Sequence, residues 1–276
     1  MIIYKLHKVL LFSLLLLPLT IQATEYSFAV VPQYTVSKTF ASWQPLMEAL
    51  EKETGHSFKL KVYKSFKDFE ETYLSGKVDF IYYNPYHQVK GQKSQGYIPL
   101  VRDGRRKLSG IIVVRKDKHY KQVSDLNNKT VAFPAPNAFA ASLYMRALLA
   151  EKEQLNITPN YVHSHSNAYR HVVTGKAAAA GGVLRTLKKQ PQAIREALMV
   201  LYQTPSNSPH PIAVHPRVSK QVRDAVTEAI FLMAESESGQ ALLTAVQIPS
   251  PVKADYKRDY QRLENLGLDK YYHSYD

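Results

Sequence analysis

The chain has no cysteine, so it forms no disulfide, offers no thiolate for catalysis or metal binding, and provides no cysteine for lipid attachment. It also lacks a Gly-x-Ser-x-Gly elbow and a His-Glu-x-x-His helix, which removes the usual sequence marks of serine hydrolases and zinc peptidases. Acidic side chains are scarce, with 23 Asp and Glu against 36 Lys and Arg and a formal net charge of +13. Long apolar runs are missing beyond the N-terminus, as are internal repeats and low-complexity tracts. What remains is a 276-residue chain, 45% hydrophobic and 11% aromatic, with enough apolar material for one large or two smaller cores.

The one apolar run, Val9 to Leu17, follows Lys5 and Lys8 and ends at Pro18, with a small-residue exit at Ala23 before Thr24. That order reads as a secretory signal peptide over residues 1–23. A membrane span needs ~20 apolar residues, so insertion after cleavage is not expected. Without an anchor, the product fits a periplasm, and export argues against nucleic acid as a partner. Basic residues gather at Lys59, Lys61, Lys64 and Lys67, at Arg102, Arg105, Arg106 and Lys107, and at Arg115, Lys116, Lys118 and Lys121. Such a surface keeps a protein soluble and steers anions toward it.

From Tyr26 onward, short apolar runs alternate with stretches of helical period. Strands are expected at Tyr26 to Val31, Phe58 to Tyr63, Val78 to Tyr82 and Tyr97 to Val101, with helices at Phe40 to Glu53 and Phe66 to Leu74. A second series has strands at Thr130, Asn160 to His163 and Ala177 to Gly182, with helices at Ala138 to Glu151, Asn167 to Thr174 and Leu184 to Leu198. The final third reads as helical, over Lys220 to Met233, Ser238 to Val246 and Asp255 to Leu266, wrapping back on the first domain. This alternation predicts an α/β protein with largely parallel sheets. Turn-rich passages near Asp103 to Val114 and Met199 to Val214 predict that the chain crosses into a second domain and returns. The expected division is residues 24–107 plus 212–276 for lobe 1 and 108–211 for lobe 2, joined by a two-strand hinge.

Two helix starts stand out as anion sites. Val131-Ala132-Phe133 breaks at Pro134 and Pro136, and a helix follows from Ala138, so the backbone N–H groups of Ala138, Phe139, Ala140 and Ala141 are aimed at one point beside Asn137 and Ser142. In the other, Asn84 is an N-cap with Pro85 at the first helical position, ahead of Tyr86 and His87. Facing one another, the two would clamp a small anion. Tyr34 follows the first strand, where an α/β fold places ligand loops, or it packs on the surface. His163 and His165, two residues apart at a strand end, are expected to share one face there and could pair on a metal. Ser164 and His165 could equally form a polar wall that donates to an anion. The small residues Ala177 to Gly182 let another group approach the backbone. Arg185 after them can hold a carboxylate or phosphonate through two parallel bonds.

Trp43-Gln44-Pro45-Leu46, Gly76 to Phe80 running into Asn84-Pro85-Tyr86-His87, and Asp125 to Phe133 together resemble the phosphate, phosphite and phosphonate-binding proteins of ABC importers, within the type II periplasmic binding proteins. The resemblance implies two α/β lobes that close on a ligand between them, with the oxyanion held by hydroxyls and backbone N–H groups at the second lobe's helix start. Where relatives place Ser and Thr, this chain has Asn137-Ala138-Phe139-Ala140-Ala141-Ser142, which points away from free phosphate and toward an organic anion with an apolar part against Phe139. The expected function is capture of a small oxyanion, phosphonate-like or another organic anion, by a monomer without cofactor or covalent chemistry. The expected partners are ABC importer membrane subunits or, alternatively, a membrane sensor kinase. A metal-dependent exported hydrolase and a ligand-free scaffold are the competing classes.

Overall fold

The computed structural model describes residues 24–274; the signal peptide expected over residues 1–23 lies outside the described residues. The chain builds two mixed sheets. The first uses β1 (Glu25–Val30), β2 (Ser57–Val62), β3 (Phe80–Tyr82) and β4 (Ile98–Asp103), and the second uses β5 (Gly110–Arg115), β6 (Thr130–Phe133), β7 (Thr158–Tyr161), β8 (Ala179–Val183) and β9 (Leu198–Gln203). The chain then returns to the first sheet with β10 (Pro211–Val214) and β11 (Pro251–Lys253). The strand orders are β11-β4-β10-β3-β1-β2 and β7-β6-β8-β5-β9.

Within each series the strands pair in parallel, as β1 does with β2 and β3, and β6 with β7 and β8. The strands carried by the crossings run the other way: β10 lies antiparallel between β3 and β4, and β5 antiparallel between β8 and β9. A chain that leaves one sheet and re-enters it from the other side must reverse direction, so the expected parallel sheets are mixed. The crossings pair with each other: Leu108 and Asn207 exchange both backbone hydrogen bonds at 2.9 Å, and Thr204 N–H donates to the Gly110 carbonyl at 2.9 Å. That ladder is the two-strand hinge.

The first sheet is flanked by α1 (Val36–Thr54), α2 (Phe66–Leu74) and α3 (Pro85–Gln95). Trp43, Leu46, Met47 and Leu50 form the buried stripe of α1, which meets Phe28, Phe80 and Tyr82 in the largest core. This helix begins before the expected Phe40 because the Thr35 hydroxyl accepts from Lys38 N–H and caps it. On the second sheet lie α4 (Tyr144–Glu151), preceded by a π-helical turn Phe139–Leu143, and α5 (His165–Val173). The single helix expected over Leu184 to Leu198 is split into α6 (Leu184–Lys188) and α7 (Gln192–Ala197), because Pro191 lacks an N–H and forces the residue before it out of the helical region. Apolar clusters cover both faces of the second sheet.

The closing helices α8 (Lys220–Met233) and α9 (Glu237–Ala245) pack on the first sheet, and α10 (Tyr256–Asp259) leads into short 3-10 turns over Gln261–Leu266 and Leu268–Tyr271. The chain end touches both lobes, which the expectation of a return to the first domain alone did not include. Arg146 of α4 donates to the Tyr271 carbonyl at 2.7 Å, and Lys270 pairs with Glu151 at 2.6 Å. On the first-lobe side, Asp269 accepts from the Tyr86 hydroxyl at 3.0 Å and from Lys90 at 3.2 Å. A small apolar cluster between the lobes stacks Tyr86 on Phe139 (6.5 Å, 7°) and Phe139 on Tyr144 (5.6 Å, 3°). Among the described residues no helix is long and apolar enough to cross a membrane.

Candidate functional site

The two helix starts differ in what their N–H groups are doing. At α3 the Asn84 side-chain oxygen accepts from Tyr86 N–H at 3.0 Å and His87 N–H at 2.9 Å, so this start is consumed by its own cap. At the second start Ala138 provides no side-chain cap. Its own N–H reaches the Ala135 carbonyl at 3.4 Å, but the N–H groups of Phe139, Ala140 and Ala141 have no acceptor among the described residues. The expected two-jawed clamp is therefore one-jawed on the backbone side.

Sheet glycines set where the open helix start sits. A Cβ on Gly110 would lie 1.9 Å from the Ala140 carbonyl oxygen, and one on Gly181 would lie 2.1 Å from that of Ala141. Real Cβ atoms do not approach so closely, so only glycine lets this turn rest on β5 and β8. The close approach expected of the Ala177 to Gly182 run is made by the protein's own helix start.

Phe139, Ala140 and Ala141 border a small interlobe cavity of about 30 Å³, whose wall also includes Asn84, Ala138, His165, Arg185, Gln33 and His210. Its apolar wall is Val31, Phe66, Leu108, Val183 and the Phe139 ring. Among the described residues no Asp or Glu lines it. His165 is 9% exposed, its Nδ1 is buried without a partner, and burial, helped by the Arg185 charge, pushes its pKa down to about 4. Burial and then Arg185 likewise hold His210 well below the ordinary histidine range. His210 Nε2 lies 2.7 Å from the Gln33 amide nitrogen, and its ring stacks on Tyr82 at 5.4 Å. With Gln33 donating to Nε2, the neutral ring keeps its proton on Nδ1. Arg185 carries a buried Nε without a partner. The wall thus collects donors and one cation, with no carboxylate to neutralise them, a composition suited to an anion.

Several expected site residues are held elsewhere. His87 is fully buried, its Nε2 3.1 Å from Glu70 Oε1 and 3.2 Å from Asn84 Nδ2. Asn137, also fully buried, donates through Nδ2 to Glu70 Oε2 and to the His273 carbonyl, both at 2.9 Å, and its Oδ1 accepts from His273 N–H at 2.9 Å. Asn84 Nδ2 donates to the Asn137 carbonyl at 3.0 Å, and the Tyr272 hydroxyl donates to Glu70. These residues form a lock across the lobes and the chain end, so Asn137 and His87 do not line the cavity. Nor does Tyr86, whose ring is committed to Phe139 and whose hydroxyl is committed to Asp269. Ser142, fully buried, faces Arg146, whose Nε lies 3.4 Å from the hydroxyl.

Tyr34 and Ser164 border a wider depression of about 600 Å³ that also takes in His165. Tyr34 is flanked by Lys38 and Lys189, whose ammonium groups lie 4.7 and 5.5 Å from its ring centre. The Ser164 hydroxyl caps α5 by accepting from Asn167 N–H at 3.1 Å. His163 adopts a positive φ of 68° beyond the end of β7, so the strand alternation that would put it on one face with His165 does not continue. Among the described residues no three metal-ligating side chains gather. Gln33 and His210 were not singled out as site residues from the sequence. Gln33 neighbours Tyr34 after the first strand, and His210 sits between Pro209 and Pro211 at the return crossing, where strand ends meet.

A family model described as the periplasmic substrate-binding protein of phosphonate ABC transporters matches residues 28–260. No curated protein matches the chain. Among solved structures, a binding-protein component of an ABC phosphonate transporter from Pseudomonas aeruginosa superposes with a TM-score of 0.78 at 14% identity, covering 90% of this chain and 87% of that one. PhnD1 from Prochlorococcus marinus, solved with methylphosphonate, gives 0.79 at 13% identity, covering 90% and 98%. A Xanthomonas citri protein solved with ATP gives 0.76 at 12% identity, with the same coverage. At these identities the likeness establishes the fold.

Proposed function

The chain belongs to the periplasmic substrate-binding proteins of phosphonate ABC transporters, and from that premise we propose that it captures a small organic oxyanion, phosphonate-like, in the cavity beside Phe139, Ala140 and Ala141. It then presents the closed lobes to importer membrane subunits. The observation that carries this reading is the cavity wall itself: open backbone N–H groups, a neutral His165, Gln33, His210 and Arg185, with no acidic residue. Charged acceptors gain most from such donors, about 1.5–3 kcal/mol for each hydrogen bond to a charged group.

With the one hydroxyl of the helix start, Ser142, facing Arg146, the oxygens are met by backbone N–H groups, His165 and Arg185, while Phe139, Phe66 and Leu108 suit a carbon substituent. The cavity, about 30 Å³, has room for only two or three water-sized groups, since one water needs roughly 10–15 Å³. That is the scale of an oxyanion headgroup. The family performs transport binding rather than catalysis, and the lobes, joined through the hinge ladder, are suited to closing over the ligand.

Titration calorimetry of the purified protein with methylphosphonate, inorganic phosphate, sulfate and arginine tests this reading. Binding of methylphosphonate in preference to phosphate, with no heat from the cationic amino acid, is the expected result. Binding of arginine, or of none of the anions, would overturn it.

A further inference from the structure

Beside the headgroup cavity lies a groove of about 660 Å³ with which it shares the wall residues Leu108, Val183, Arg185 and His210. The groove is far larger than the cavity and is lined on its polar side by Arg106, Lys107, Lys188 and Lys189 as well as Arg185. Among the described residues none of these five forms an ion pair. The single carboxylate of the groove, Asp103, is 1% exposed and its Oδ1 is taken by the N–H groups of Arg105 and Arg106 at 2.8 and 2.9 Å. The cations also feel one another: the Lys189 pKa is lowered first by burial and then by Arg185 and Arg106. A groove that crowds five cations around one buried carboxylate keeps an excess of positive charge, which an anion relieves.

Resting on the reading of the cavity as an oxyanion site, we propose that the ligand carries a second anionic group, separated from the headgroup by a short carbon chain, which lies in this groove against Arg106, Lys188 and Lys189. The substrate class is then a carboxyalkylphosphonate or a similar two-ended organic anion. Aminoalkylphosphonates are disfavoured, because their ammonium would enter a groove of like charge, and plain alkylphosphonates leave the cations unmatched. Arg185 borders both spaces and bridges the two ends. The apolar parts of the groove, Tyr82, Ile111, Val183 and Leu184, suit the connecting methylenes.

Three ligands that differ only at the far end separate the possibilities: 3-phosphonopropionate, propylphosphonate and 2-aminoethylphosphonate, titrated calorimetrically into the wild type and the double variant Arg106→Gln/Lys188→Gln. The expected order of affinity is carboxylate, then alkyl, then ammonium, with the carboxylate on the order of tenfold tighter than the alkyl compound, as two partly exposed ion pairs would give. In the double variant the carboxylate and alkyl affinities converge, and in the wild type the gap narrows at high salt. Propylphosphonate or 2-aminoethylphosphonate binding as tightly as 3-phosphonopropionate would overturn the inference and leave the oxyanion reading standing, as would a gap that survives in the double variant. If none of the three binds, the oxyanion reading fails and the inference falls with it.

Discussion

Two polar regions lie side by side between the lobes, and they differ in how far their hydrogen bonds are made: the first is paired except for His87 Nδ1, the second is largely open. In the lock, the buried Glu70 accepts from Asn137 and Tyr272 and meets His87, and Asn84 joins the Asn137 carbonyl to the start of α3. In the cavity, the N–H groups of the second helix start, His165 Nδ1 and Arg185 Nε have no partner among the described residues. Buried polar atoms left unmatched cost stability, and such a cost is characteristic of a place where a ligand supplies the missing acceptor. The lock joins the lobes and the chain end, while the cavity is the site the proposed function assigns to the ligand.

If that division is right, mutations in the two regions should separate stability from affinity. The largest effect is expected at the support of the helix start: Gly110→Ala drives a Cβ into the Ala140 carbonyl, 1.9 Å away. It should abolish methylphosphonate binding in calorimetry and cost about 3 kcal/mol in urea unfolding. Next comes Glu70→Ala, which leaves the donors of Asn137 and Tyr272 without their buried acceptor. It should lower stability by about 2–3 kcal/mol and weaken anion binding less than a cavity mutation does.

Arg185→Gln is the mirror case. It removes a cation that borders the cavity without an ion pair, so affinity should fall roughly tenfold to a hundredfold, the value of a charge-assisted bond, while the melting temperature of the free protein stays level or rises. The comparison collapses if Arg185→Gln destabilises the free protein as much as Glu70→Ala does.

A smaller effect follows from His165, whose folded-state pKa of about 4 lies below the ordinary 6.5. Between these values the unfolded chain binds the proton and the folded protein does not, so stability rises with pH across this window. The contribution is complete above pH 6.5 and is lost as the solution is acidified toward pH 4, amounting to about 2 kcal/mol between pH 7 and 5. Urea unfolding as a function of pH should show that slope in the wild type and a shallower one in His165→Asn. An equal slope in the two would mean that His165 is not held neutral by its surroundings.

Much of the fold is local and was readable in the residue order. The alternation of apolar runs with helical periods marks the strands and helices, Pro85 and Asn84 mark the start of α3, and the turn-rich passages mark both crossings. The mismatches are local too. Thr35 begins α1 early, and Pro191 breaks a helix that periodicity would have continued. Of the residues the sequence singles out, the helix start, His165 and Arg185 border the interlobe cavity, and each carries a local signal: a strand end, a helix entry, a charged side chain beside small residues. Tyr86, His87, Asn137 and Ser142 lie beside such starts in sequence, but their side chains meet Asp269, Glu70 and Arg146 instead of lining the cavity, because neighbours on a helix point in different directions. Gln33 and His210 come together in the cavity wall, their side chains 2.7 Å apart, although 177 positions separate them along the chain, a proximity no local pattern signals.

The sequence alone determined that this is a cysteine-free, basic α/β chain that crosses twice between two sheets, because strand and helix periods, turn residues and charge are properties of short segments. Tertiary structure decided which polar groups are spent and which are open. Whether the Asn84 amide reaches the Asn137 carbonyl, whether Glu70 reaches Asn137 across the lobes and whether Arg185 goes unpaired depend on distances between residues far apart in the chain. Those distances exist only once both lobes, the hinge and the chain end have packed together.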